Sequence, residues 1–346
     1  MSTSYKAVGW NRQKRRYDAT VAGGVAAYLT VFVAAGFVMD TNATIETLLI
    51  RALGTAALFL LSVVLAIGPL CRIDRRFLPL LYNRRHLGVT TCLLALAHGA
   101  FAVVQFHALG DLNPLASVLV TSGDYSSLTD FPYQQLGLVA LAILVVMAAT
   151  SHDFWLRTLS PPVWKSLHML VYVAYALVVA HVALGALQAE TSAVLAFLLC
   201  MGVLIVIGLH LLAAHRERSG DIERGKGDLV DVCSVTDIPE GRARTVCLGG
   251  ERVAVFRYNG RISAVSNVCR HQNGPLGEGK IVGNCIVCPW HGYEYDPGSG
   301  RAPAPFTEKV PTFTVRTVGE RVLVNPVPHP PGTYVEPACI SVEVRS

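Results

Sequence analysis

Apolar positions in this chain form six long runs between Val21 and Ala214, and short alternating runs take over from Asp228. The long runs are Val21 to Met39 and roughly Leu48 to Leu70, Leu87 to Leu109, Pro132 to Ala149, Leu167 to Leu187 and Ser192 to Ala214. Each is close to the ~20 residues that a helix needs to cross hydrocarbon, so six transmembrane helices are predicted. A secretory signal competes for the first run, but its apolar core would be ~7–15 residues before a small-residue cleavage site. The run here has nineteen uncharged residues and ends in Met39-Asp40. A membrane helix fits it better.

From Asp228 the apolar stretches shorten to Val230–Val235, Val253–Arg257 and Ile262–Val265, punctuated by Gly249-Gly250 and Asn259-Gly260. Such turn dipeptides between alternating runs predict β-hairpins. The fold class expected is therefore an all-α transmembrane bundle of six helices followed by a small all-β domain. The boundaries expected are a cytoplasmic arm at 1–20, the membrane domain at 21–215, a Gly-rich linker at 216–227, the β-domain at 228–326 and a proline-rich tail at 327–346. The tail is expected to be loosely ordered or to lie along the domain.

Composition agrees with this division, with 52% hydrophobic residues and a mean hydropathy of +0.44 over 346 residues. The net charge of +5 is modest, and no basic patch interleaved with aromatics points to nucleic acid. The cations sit instead in alternate connections. Lys6, Arg12, Lys14, Arg15 and Arg16 precede the first run, Arg72, Arg75, Arg76, Arg84 and Arg85 follow the second, and Arg157 and Lys165 follow the fourth. The other three loops carry acids and no Lys or Arg. Because cytoplasmic loops keep the positive excess, both termini and the β-domain are expected on the cytoplasmic side of a plasma or inner membrane.

The chemistry gathers at Cys269-Arg270-His271 and, sixteen residues on, Cys288-Pro289-Trp290-His291. Zinc sites usually pair Cys with Cys and His with His at short spacing, whereas each arm here is mixed. Mixed arms suit a two-iron cluster with two thiolates on one iron and two imidazoles on the other. Of the other seven cysteines none has ligand spacing, and Cys285, three before Cys288, is read as incidental.

The run CRHQNGPLGEGKIVGNCIVCPWHGYEYDPGSGRAPAP, and residues 228 to 326 with it, resembles Rieske ferredoxins and the Rieske domains of ring-hydroxylating oxygenases. The resemblance implies a 2Fe-2S cluster with Cys269 and Cys288 on one iron and His271 and His291 on the other. Respiratory Rieske proteins add a disulfide between the two loops. Gly274 and Trp290 stand at those positions here, as in the disulfide-free type, which suits a reducing compartment.

Ionisable residues inside membrane spans default to function. His86 and His98 lie twelve apart at the start of and within the third run, and His168 and His181 lie thirteen apart in the fifth. At ~1.5 Å per residue the two helices offer imidazoles ~18 and ~19.5 Å apart along their axes. Both run outward, so His86 levels with His168 and His98 with His181, as two stacked b-type haems would need. Neither spacing keeps both rings on one ideal face, so a tilt or kink is expected. His107, His152, His210 and His215 are read as interfacial.

The stretches Arg51-Ala52-Leu53-Gly54, Gly68-Pro69-Leu70, Arg84-Arg85-His86-Leu87-Gly88, Leu96-Ala97-His98 and Trp164-Lys165-Ser166-Leu167-His168 through His181 resemble ferric-reductase-like transmembrane domains. The likeness is in particular to the haem-binding membrane subunit of the bacterial methionine-sulfoxide reductase system, and spans about 45 to 190. It implies one or two b-type haems, supporting His98, His168 and His181 as ligands more firmly than His86. The larger relatives carry flavin and nicotinamide domains, and no dinucleotide glycine fingerprint is present here. The expected function is electron transfer between a cytosolic Rieske cluster and membrane haem. A cytosolic reductase or other donor would feed it, and a metal, quinone or external protein would accept across the bilayer. The alternatives are a ferric or other metal reductase acting in its own right at the outer face, a quinol-linked donor to a cytosolic oxygenase, and a non-catalytic redox sensor subunit.

Overall fold

The computed structural model describes residues 12–340 except 82, 109, 121–125, 128–130, 153–154, 156–157, 160, 191–192, 221–227, 272–273 and 291. The chain divides into two compact units. One is helical, and its long helices are α1 (Arg12–Met39), α2 (Ile45–Ile73), α3 (Arg84–His107), α4 (Tyr133–Thr150), α5 (Pro161–Met169), α6 (Val171–Leu184) and α7 (Ala193–Gly220). Counting α5 and α6 as one span, six helices among the described residues are long and apolar enough to cross a membrane.

Helix α2 is the centre of the bundle, with half of its apolar window buried, while none of that of α1 is. Ala52, Ala56 and Ala57 are buried on it along with Leu48, Leu53, Leu61 and Leu65, while the most extensive close backbone approach in the bundle is between α4 and α6. Leu61 and Leu65 pack with Cys92, Leu144, Ala174, Tyr175 and Val206 from four other helices. Phe59, Phe101 and Leu204 remain exposed on the outside of the bundle, as a lipid-facing surface requires.

Helix α1 begins nine residues before the apolar run that predicted it, since nothing between Arg12 and Val21 breaks a helix. Asp18, assigned to the arm from sequence, is thereby brought into the helix. The fifth span is jointed at Leu170, whose N–H bonds Leu167 C=O at 3.2 Å in a tighter turn. That turn falls two residues after His168.

Among the described residues the second unit contains a β-domain of eleven strands: β1 (Val230–Ser234), β2 (Arg242–Leu248), β3 (Glu251–Tyr258), β4 (Arg261–Ser266), β5 (Lys280–Val282), β6 (Cys285–Val287), β7 (Glu294–Tyr295), β8 (Thr312–Phe313), β9 (Val315–Val318), β10 (Arg321–Val324) and β11 (Ala338–Cys339). They form sheets ordered β1-β10-β9, β11-β4-β3-β2 with β8 also on β4, and β5-β6-β7. The β3–β4 hairpin turns at Asn259-Gly260, where φ is 48° and 70°, the left-handed pair that a two-residue loop demands. Strand β3 is buried on both faces. Val253 and Val255 point into one core with Phe313 and Val322, and Ala254 and Phe256 into another with Leu276, Ile286 and Tyr295. The second core also holds Cys269 and Cys288.

Of the proline-rich segment, residues 327–340 lie along the domain rather than loose. Ala338 and Cys339 pair with Ile262 and Arg261 as an added edge strand, and Val335 N–H bonds Gly298 C=O at 2.9 Å.

Candidate metal centres

Two loops build the centre in the β-domain. The first leaves β4 and carries Cys269 and His271, and the second joins β6 to β7 and carries Cys288. Main-chain bonds fix both, Cys269 N–H to Gly274 C=O at 2.9 Å and Cys288 N–H to Tyr293 C=O at 2.8 Å. The two thiols are 1% exposed. Gly274 is where the loops meet, for a Cβ there would lie 2.8 Å from Cys288 Sγ and 3.1 Å from Trp290 Cγ. The Gly274 and Trp290 positions are thus in contact, where a bridging disulfide would otherwise fit.

Around the thiols stand two tyrosines. The Tyr295 hydroxyl lies 3.4 Å from Cys269 Sγ and accepts the Arg270 N–H at 3.0 Å. Burial, and then the neighbouring Cys269, push its phenol far above the ordinary value, so it stays a donor. Tyr293 stacks on the His271 ring, centroids 4.9 Å apart at 9°, and its hydroxyl donates to Glu308. His271 Nδ1 is shut away from solvent. Among the described residues no three of His, Cys, Asp and Glu gather as one mononuclear metal site. His291, the fourth residue expected of the set, lies outside the described residues. Two sealed thiols and a stacked imidazole in one loop pair fit a cluster that takes two protein ligands per iron.

In the bundle, the structure brings His98 of α3 and His181 of α6 together. Their ring centroids are 6.2 Å apart and the planes cross at 82°. His98 Nδ1–H donates to Ile50 C=O and His181 Nδ1–H to Tyr133 C=O, both at 2.9 Å. With Nδ1 committed, Nε2 is left as the lone-pair nitrogen in each ring. Two metal–nitrogen bonds of ~2 Å plus the ring radii would place centroids ~6 Å apart, so the observed separation matches what one iron held by both rings would need.

His86 and His168 each have their own polar partners. His86 Nδ1 meets Asp18 Oδ1 at 2.8 Å, a carboxylate–histidine pair of the sort that orients metal ligands. His168 Nδ1–H donates to Trp164 C=O at 3.0 Å, and its ring stacks on Trp164 at 3.8 Å. Its Nε2 is 3.2 Å from Ser151 Oγ, whose one proton is directed to Met147 C=O at 2.7 Å. His107 is held at both nitrogens, by Ser117 at 2.9 Å and Gln134 at 3.1 Å, in keeping with a structural post.

Sequence reasoning passed over Tyr295, Tyr293 and Asp18. The signal for the tyrosines was their place two apart in the HGYEYD run; for Asp18 it was a lone acid among the arm's cations.

The comparisons divide the chain in the same way. Residues 228–314 match the Rieske 2Fe-2S domain, and residues 53–179 match the ferric reductase like transmembrane component. The ferredoxin component of the naphthalene 1,2-dioxygenase system of Pseudomonas aeruginosa is 33% identical over 97 residues, 28% of this chain and 93% of its own length. The cholesterol 7-desaturase of Ciona intestinalis is 43% identical over 76 residues, 21% of this chain and 16% of its own. Among solved structures, the ferredoxin of carbazole 1,9a-dioxygenase from Nocardioides aromaticivorans is 26% identical with a TM-score of 0.28, covering 29% of this chain and all of that one. Through its C-terminal domain this chain belongs to the Rieske 2Fe-2S family. Its N-terminal part is a ferric-reductase-like transmembrane component, which makes the whole a multi-pass membrane protein built for electron transfer.

Proposed function

We propose that the chain conducts single electrons between a Rieske cluster on the cytoplasmic side and b-type haem within the bilayer, for delivery to an acceptor beyond it. In this reading Cys269 and Cys288 hold one iron of the cluster and His271 and His291 the other. His98 and His181 hold the outer haem, and His168 with His86 the inner one. When bound, these groups supply one-electron chemistry.

The protein's part is placement. The observation that carries the reading is the His98–His181 pair, two imidazoles from different helices with centroids 6.2 Å apart and both Nδ1 atoms tied to backbone carbonyls. An ordinary buried histidine needs no such partner. The lysines and arginines of the loops after α2 and α4 support the cytoplasmic placement of the cluster domain. Helix α7 continues to Gly220, into the stretch from 216 that the sequence led one to expect as linker.

A second reading reverses the flow, with quinol feeding the haems and the cluster serving a cytosolic oxygenase. The kinship of residues 228–314 with ferredoxin components of dioxygenase systems favours it. Full-length protein in detergent separates the two. Redox titration of cluster and haem orders their potentials, and the order sets the downhill direction. A colourless Soret region in protein supplied with haem, or haem reduction unchanged when the cluster is destroyed, would overturn the conduction reading.

A further inference from the structure

The His98 and His181 seats are built to one plan. His98 Nδ1–H reaches the carbonyl of Ile50 on α2, and four residues along that helix stands Gly54. His181 Nδ1–H reaches the carbonyl of Tyr133 on α4, and four residues along stands Gly137. In an α-helix the carbonyl of residue i points along the axis toward residue i+4. An imidazole that bonds that oxygen therefore lies over residue i+4, where any side chain would take its place.

The distances bear this out. A Cβ on Gly54 would sit 3.0 Å from both Cε1 and Nδ1 of His98, and one on Gly137 would sit 2.9 Å from the same two atoms of His181. Alanine is the better helix former at an ordinary interior position, so propensity does not account for glycine at either place. Gly88, on α3, has open space where a Cβ would project. The two seats come from different helix pairs, α2 with α3 and α4 with α6, and together leave the rings crossed at 82°.

We infer that Gly54 and Gly137 are positioning residues that set the planes of the two imidazoles, holding them crossed for the haem iron. This rests on the ligand reading for His98 and His181 given above. Crossed imidazole planes act on two different d orbitals of the iron and leave them nearly equal in energy. The orbital moment is then poorly quenched, and the oxidised low-spin haem gives a single, strongly anisotropic resonance at large g. Parallel planes split the orbitals and give a three-line rhombic spectrum instead.

The test uses full-length protein in detergent, with haem per chain, the low-temperature resonance spectrum of oxidised haem, and the Rieske signal of the reduced protein as an internal record of folding. The wild-type chain and Gly88→Ala should show the large-g signal. It is assigned to this site by its loss in His98→Ala. Gly54→Ala and Gly137→Ala should each lose that signal, becoming rhombic, high-spin or haem-poor, with the Rieske signal retained. An unchanged large-g signal in both alanine variants overturns the inference. So does a rhombic wild-type spectrum for the His98-dependent haem, which needs no variant to accumulate with altered seats. A His98→Ala protein with wild-type haem content and spectrum overturns the ligand reading itself, whatever the glycine variants do.

Discussion

Removing the Tyr295 hydroxyl should lower the reduction potential of the cluster. The hydroxyl is 3.4 Å from Cys269 Sγ in a side chain with no exposed surface, so no water replaces it in Tyr295→Phe. Reduction adds negative charge that the sulfurs share, and a donor to sulfur therefore stabilises the reduced form more than the oxidised one. A hydrogen bond here has a net worth of about 1 kcal/mol. Since a tenfold change in a one-electron equilibrium, 1.4 kcal/mol, is 59 mV, the expected fall is about 40 mV. The phenol is held protonated by burial, so the offset between wild type and variant should persist from neutral to mildly alkaline pH. The assay is a redox titration of the full-length protein followed by the cluster's resonance signal. Its line positions also report whether the ligands are intact, because the variant leaves the Arg270 N–H without this acceptor. Intact line positions with an unshifted or raised potential would refute the reasoning.

Other substitutions test the remaining parts. Asp18→Asn should weaken retention of one haem by about 10–100-fold, because the carboxylate aims His86 at 2.8 Å; haem per chain measures it, and full retention would remove His86 from the ligand set. His168→Ala should halve the haem content while leaving the His98-dependent spectrum in place. Phe256→Ala, at a fully buried position in the core that holds Cys269 and Cys288, should destabilise the β-domain by about 3–5 kcal/mol, read from denaturant loss of the cluster's visible circular dichroism. Burial also raises the phenol of Tyr258 above its usual value, in the folded protein only. Its contribution to stability is intact below the ordinary phenol value of ~10 and is lost as pH climbs through the raised one, so Tyr258→Phe should flatten the alkaline fall in melting temperature.

Much of this architecture was legible because the bilayer imposes length and the cluster imposes spacing. Six apolar runs gave six spans to within a few residues, except that α1 starts at Arg12. The pattern could place the hydrocarbon but not the helical turns before it. The turn dipeptide Asn259-Gly260 gave its hairpin because the backbone conformation is local. The edge strand Ala338–Cys339 was not legible, since two residues among prolines carry no strand signal and the pairing is made with Ile262, far away in the chain. The histidine depths predicted the His98–His181 pair, yet the carbonyls of Ile50 and Tyr133 left no trace, because every residue has one. Glycine at four residues' remove is the trace such a seat leaves, and it can be read only once the partner ring is known.

The turn at Leu170 has one more implication. It separates α5, which carries His168, from α6, which carries His181. On the ligand reading proposed above, a substitution near residue 170 would move His168 while His181 stays bonded to the Tyr133 carbonyl of α4. The two histidines of one span would then be tuned separately.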